Sequence, residues 1–223
     1  MAVISALRRA FPGVAVALVA SLVASACEQP AGPEEQRPDN AEEWARVLDD
    51  PERNAWQKPD EVIRALSLPR DATVADIGSG TGYFAVRLAR AVPQGRVLGV
   101  DIEPEMMRYL NERAKREGLA NLTAQTGGAD DPRLPAPVDL VIVVNTYHHI
   151  GAAEQYFRGV RDALKPGGRL AIIDFDPDAP IDVPNRVSPE RVKQELGRAG
   201  FEFAQEHAFL PHQYFLILRP TAK

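Results

Sequence analysis

The chain has 223 residues, 45% hydrophobic and 26% charged, which fits one globular domain with an appendage. Its formal net charge of -5 leaves no broad cationic face for phosphate backbones, so nucleic acid is excluded as a main partner. The single cysteine, Cys27, excludes an internal disulfide and a thiolate metal cluster.

In chain order the first element is a targeting segment. Arg8 and Arg9 precede an apolar run from Val14 to Ala24, and small residues lead into Cys27. The run suits a signal peptide and falls short of the ~20 residues that span a bilayer. "LVASAC" resembles a bacterial lipobox. That resemblance implies a lipoprotein-type signal peptide over 1–26, lipidation of Cys27 and a membrane anchor at the cell envelope, with Glu28 pointing to the outer membrane. Ordinary secretory cleavage is the alternative, because Ala24 stands where leucine is usual. "RRAF" resembles a twin-arginine signal, so both export routes stay open; an unused signal would leave the chain cytoplasmic. Residues 27–40, rich in Pro, Glu and Gln, read as a disordered tether.

Residues 41–70 read as a helical segment carrying both tryptophans, Trp44 and Trp56. From 71 to 223 the pattern alternates strand and helix. Strands are expected at 73–77, 96–102, 121–126, 138–145 and 169–175. Between them the pattern predicts helices from Gly82 to Ala91, from Pro104 with a stripe of Met106, Tyr109, Leu110 and Ala114, and over 152–165. "VDLVIVVN" is apolar without alternation, as suits a central parallel strand covered on both faces. A last helix starts at the Ser188 cap. Strands 201–209 and 213–220 are joined by too few residues for a crossover, so they are antiparallel. The fold class is α/β: a doubly wound, seven-stranded, mostly parallel sheet with an antiparallel last strand.

The stretch "VADIGSGTGYF" puts Gly78, Gly80 and Gly82 where a strand hands over to a helix, letting backbone run close under a ligand. The spacing G-x-G-x-G behind Asp76 is not the dinucleotide fingerprint G-x-G-x-x-G, and no cation in the loop suggests a pyrophosphate. With Asp101 ending the second strand, "GGADDPRLP", "NTYHHI" and "LKPGGRLAIID" following in order, the chain resembles the class I S-adenosylmethionine-dependent methyltransferases from about Ala72 to Phe175. The resemblance implies S-adenosylmethionine as cofactor, a Rossmann-like methyltransferase fold and an enzyme of methyl transfer. It also implies the cofactor contacts: Asp76 toward the ammonium end, Gly78, Ser79, Gly80 and Gly82 along the methionine portion, and Asp101 with Ile102 at the ribose. Ala129 and Asp130 fall at the adenine, where Asp131 is the competitor, and Asn145 closes the set.

Methyl transfer is an in-line displacement in which alignment matters most. Asn145, Tyr147, His148 and His149 emerge beyond the carboxyl end of the fourth strand and are the catalytic candidates, the histidines as bases near neutral pH. A metal is not expected, since the histidine pair lacks further ligands at suitable spacing. Asp174 either holds substrate or caps its loop. Trp56 and Gln57 either fold over the cofactor as a lid or pack the helix. The expected acceptor is a small or lipid-like molecule; a cofactor-binding envelope lipoprotein without turnover, or a protein methyltransferase, is the alternative.

Overall fold

A computed structural model describes residues 40–135, 137–180 and 183–222. The signal peptide, Cys27 and residues 27–39 of the tether lie outside the described residues. The described chain opens at Asn40, whose Oδ1 accepts the Glu43 N–H at 2.9 Å and caps α1 (Ala41–Leu48). Two short helices follow, α2 (Arg53–Gln57) and α3 (Pro59–Leu66).

Seven strands then form one sheet: β1 (Thr73–Ile77), β2 (Arg96–Asp101), β3 (Leu122–Thr126), β4 (Val138–Val144), β5 (Leu164–Phe175), β6 (Phe201–His207) and β7 (Gln213–Pro220). Their order is β3-β2-β1-β4-β5-β7-β6. Pairs β1–β2, β1–β4, β2–β3 and β4–β5 are parallel; β7 runs antiparallel to β5 and β6. The expected doubly wound sheet with a reversed last strand is the observed one.

The unbroken apolar run of β4 has a direct cause. Leu140, Ile142 and Val144 enter one core with Val62, Leu88 and Leu110, while Val141 and Val143 enter another with Phe157 and Leu196. Helices α3, α4 (Ala85–Ala91) and α5 (Pro104–Arg116) cover the first face, and α6 (Ala153–Asp162) and α7 (Pro189–Arg198) cover the second. Neither face meets water, so alternation is lost.

Three local expectations are corrected. Helix α4 starts at Ala85 and not Gly82, because Gly78, Gly80 and Gly82 all hold positive φ (73°, 50° and 97°), which a right-handed helix excludes. In α5 the buried stripe is Met106, Met107, Leu110 and Ala114; Tyr109 stays half-buried, with the Arg116 guanidinium 5.4 Å from its ring centre. "KPGG" is not a connection between α6 and β5. It is an irregularity within β5: Val138 faces Leu164 while Leu140 already faces Arg169.

Candidate active site

Strand order reverses at β1, whose neighbours β2 and β4 lead away in opposite directions, and ligand crevices form at such points beyond the carboxyl ends of the strands. A cavity of ≈ 330 Å³ opens there. Asp76, Gly78, Ser79, Gly80 and Asn145 line it, so five of the expected cofactor residues share one space.

The glycines serve the protein as much as any ligand. A Cβ on Gly78 would lie 2.1 Å from Thr146 Oγ1, and one on Gly80 3.1 Å from Leu48 Cδ1 of α1. Gly78 therefore lets the loops after β1 and β4 close on each other, and Gly80 lets the N-terminal helix settle over the turn. Asp101 fixes the same turn, since its Oδ2 accepts the Gly80 N–H at 2.9 Å. Ala129 and Asp130 emerge beside it, because Asp101 pairs with Thr126 in the β2–β3 register. Asp131 is occupied by its own turn, accepting the Arg133 N–H at 2.8 Å, whereas Asp130 has no such bond among the described residues. Ile102 stands 58% exposed next to Asp101, an open apolar surface, and does not itself line the cavity.

Asp76 is the most perturbed group here. It is 2% exposed, and its Oδ2 has no hydrogen-bond partner among the described residues. Burial, reinforced by the nearby Asp101 charge and opposed by the Ala85 amide, pushes its pKa up to about 8. A buried carboxyl with one oxygen left unpaired is costly and is a natural seat for a cationic ligand group.

The opposite charge on the cavity wall is Arg53, which sequence reasoning missed. Its Nη1 donates to the Leu48 carbonyl, and Nε and Nη2 donate to Gln57 Oε1 at 3.0 and 2.6 Å. The guanidinium lies 4.2 Å from the Tyr83 ring centre, and that of Arg87 lies 4.1 Å from the same ring. Burial lowers the Arg53 pKa against the opposing pull of Tyr83 and Asp49, yet an arginine remains charged. Trp56 also lines the cavity, 5.9 Å from Phe175. Gln57, expected beside it over the cofactor, is fully buried and does not line the cavity, so the two residues part: Trp56 faces the cavity and Gln57 packs. Asp49 ties α1 to the glycine turn and α5: its Oδ2 accepts from Thr81 Oγ1 at 3.1 Å and from Arg113 Nη1 at 2.8 Å.

The expected catalytic group is split. Asn145 stays in the cavity with φ 52°, its Oδ1 accepting from Gln213 Nε2. Tyr147 does not join it: the ring stacks on Phe157 at 5.3 Å and the hydroxyl donates to Glu195 Oε2 at 2.7 Å. Burial and then Glu195 raise the Tyr147 pKa well beyond the ordinary range, so it holds its proton and serves packing against α7. His149 is exposed on the 3-10 turn Tyr147–His149, its ring 4.0 Å from that of His148.

His148 has a defined partner. Its Nδ1 lies 2.8 and 3.0 Å from Asp174 Oδ1 and Oδ2, and both side chains are almost fully buried, at 3% and 2%. Asp174 is itself held by the His148 and Phe175 amides, at 3.2 and 2.8 Å. A carboxylate at Nδ1 keeps the proton of the neutral ring there, which leaves the Nε2 lone pair as base. Asp174 thus caps the local backbone through these two amides and also orients a histidine. His148 faces a second, larger cavity of ≈ 610 Å³ while its ring lies 6.3 Å from Phe175, which lines the first.

The donor set fits S-adenosylmethionine. A buried carboxyl with one oxygen unpaired and a half-buried guanidinium in one cavity suit the ammonium and carboxylate of an amino acid, and Asp101 at the end of β2 with Asp130 in the loop after β3 suits a nucleoside.

Fold and site together define a Rossmann-like nucleoside-binding α/β domain. A family model described as a methyltransferase domain matches residues 69–207, and the chain belongs to that family. It is 30% identical over 137 residues to erythromycin 3''-O-methyltransferase of Saccharopolyspora erythraea, covering 59% of this chain and 45% of that one. It is 29% identical to demethylmenaquinone methyltransferase of Deinococcus radiodurans, covering 60% and 55%. The matched segment thus spans about half the length of these relatives. Among solved structures, a SAM-dependent methyltransferase from Aquifex aeolicus superposes with TM-score 0.73 at 24% identity, over 79% of this chain and 96% of that one. Magnesium protoporphyrin IX methyltransferase from Synechocystis, with bound SAH, gives 0.61 at 22% identity over 79% and 87%. These structural likenesses concern the fold.

Proposed function

We propose that the chain is an S-adenosylmethionine-dependent methyltransferase acting on a small-molecule acceptor. The observation that carries this reading is buried Asp76, its Oδ2 without a hydrogen-bond partner among the described residues, facing the same cavity as Arg53 behind the glycine turn. When bound, S-adenosylmethionine supplies an activated methyl group on a sulfonium.

The residues divide the remaining work. Asp76 takes the ammonium, giving up its proton as it does so, and Arg53 takes the carboxylate. Asp101 takes the ribose hydroxyls, with Ile102 against the base and Asp130 at the adenine amino group. Trp56 and Phe175 exclude water from the methyl side. Where the acceptor is a hydroxyl or another group that must lose a proton, His148 Nε2 receives it. Asp174 holds Nδ1–H and stabilises the imidazolium that forms. Asn145 and Thr146 line the cofactor cavity at the end of β4.

The acceptor class rests on the relatives, whose names include an antibiotic and a quinone precursor as substrates. Screening candidate acceptors for S-adenosylhomocysteine release tests the assignment; binding of cofactor with no release on any acceptor would leave a binding protein. The place of the activity is inferred from residues 1–27 alone: a lipid-anchored domain at the envelope. Labelling with radioactive palmitate checks this, since Cys27→Ser must abolish incorporation, and labelling that persists contradicts it.

A further inference from the structure

The larger cavity, ≈ 610 Å³ between the turn after β4, α6 and the start of α7, is not used by the cofactor assignment. Its charge is unlike that of the chain. The wall carries Arg158, Arg186, Arg191 and Arg198 against Glu154 and Glu195, in a protein of net charge -5. The arginines are held by few of their donors. Glu154 takes Arg158 through Nη2 and Arg198 through Nε, Glu195 takes Arg191 through Nε, and Arg186 spends Nη1 on the carbonyls of Asp176 and Ala179. Each guanidinium has five N–H donors, so further donors remain on all four.

Two independent features point into the same space. Helix α6 begins there, and its cap residue Ala152 has no side chain to satisfy the first-turn amides. His148, with a side chain only 3% exposed, lines the cavity with its Nδ1 engaged by Asp174. Ile150, Ala153 and Val187 supply an apolar stretch of wall. The volume is that of a site for a small organic molecule.

We infer that this cavity binds the methyl acceptor, and that the acceptor is an organic anion: an apolar body bearing a carboxylate or phosphate that the arginines and the α6 amides hold, with its nucleophile toward His148. The role of His148 in this inference rests on the methyltransferase reading; the anion site itself does not.

The test uses the full chain with benzoate and benzamide as probes of equal shape and different charge, read by ligand-observed NMR, and with S-adenosylhomocysteine titrated in parallel. The expected result is millimolar binding of benzoate, with benzamide about tenfold weaker, the scale of one charge-assisted contact. Inorganic phosphate should compete with benzoate. The double variant Arg158→Gln/Arg198→Gln should lose the preference while keeping S-adenosylhomocysteine affinity and the melting temperature. Equal binding of the two probes, no binding of either, or an undiminished preference in the double variant overturns the anion cavity. Retained benzoate preference without S-adenosylhomocysteine binding would instead overturn the proposed function and leave the cavity standing. In the acceptor screen, turnover of amides as readily as of the matching acids would overturn the substrate class.

Discussion

Replacing Asp76 by asparagine should stabilise the ligand-free protein and weaken cofactor binding. The carboxyl is 2% exposed and its pKa is pushed to about 8 from an ordinary aspartate value of 3.8. In the unfolded chain it loses its proton near pH 4, while in the fold it keeps it to about pH 8. The unfolded state therefore binds fewer protons across that window, and the fold loses stability as pH rises through it. At 1.36 kcal/mol per pH unit the loss reaches about 4 kcal/mol at pH 7. The substituted amide does not titrate but is buried in place of Oδ2, so a net gain of about 2–3 kcal/mol at pH 7 is expected, vanishing toward pH 4. Urea unfolding from pH 4 to pH 8, followed by circular dichroism, measures it. Wild type should show the falling slope and Asp76→Asn a flatter one. Affinity of wild type for S-adenosylhomocysteine should rise with pH toward 8 as the carboxylate forms, and the variant should bind at least tenfold more weakly, about 1.4 kcal/mol. Parallel stability slopes in the two proteins would refute the assignment of Asp76 as a buried acid held protonated by its surroundings.

Other changes separate the remaining roles. Arg53→Gln should weaken S-adenosylhomocysteine by about tenfold or more and leave 5'-methylthioadenosine, which lacks the amino acid end, within about twofold; equal losses for both would mean Arg53 acts only through the lid. Asp174→Asn should lower kcat by about 100-fold or more, because the His148 tautomer is no longer fixed, while cofactor Kd stays unchanged. A kcat that survives in steady-state assays would remove His148 from proton transfer. Gly78→Ala should cost about 2–4 kcal/mol in chemical denaturation, since the added methyl meets Thr146 at a backbone φ of 73°. A cost below about 0.5 kcal/mol would show that the β1 and β4 loops separate without difficulty.

What can be read from the chain follows from which forces act locally. The sheet is legible because strand and helix periodicities, the "SPE" cap and the short "LPHQ" connection are all encoded within a few residues of themselves. Asp76 and the glycines are legible for the same reason: a strand end and its turn are contiguous. The misreadings share a different cause. Tyr147 looks like its neighbour His148 in "NTYHH", yet its hydroxyl is claimed by Glu195, 48 positions away, which no local pattern announces. Arg53 sits in a segment with no motif, and only the packing of α1 and α2 over the turn turns a surface-type residue into a cavity wall. Asp174 reads as a substrate holder or a loop cap, and its role toward His148 is missed because that pairing crosses 26 residues between the ends of neighbouring strands, β4 and β5. The pattern misplaces the start of α4 because a glycine run tolerates helical periodicity while its left-handed backbone forbids the helix.

The most direct measurement is calorimetric titration of the full chain with S-adenosylhomocysteine, for wild type and Asp101→Ala. Wild type should bind at one site per chain, and the variant with an affinity at least tenfold lower. Absence of heat with wild type, or the same affinity in both proteins, would contradict the cofactor assignment.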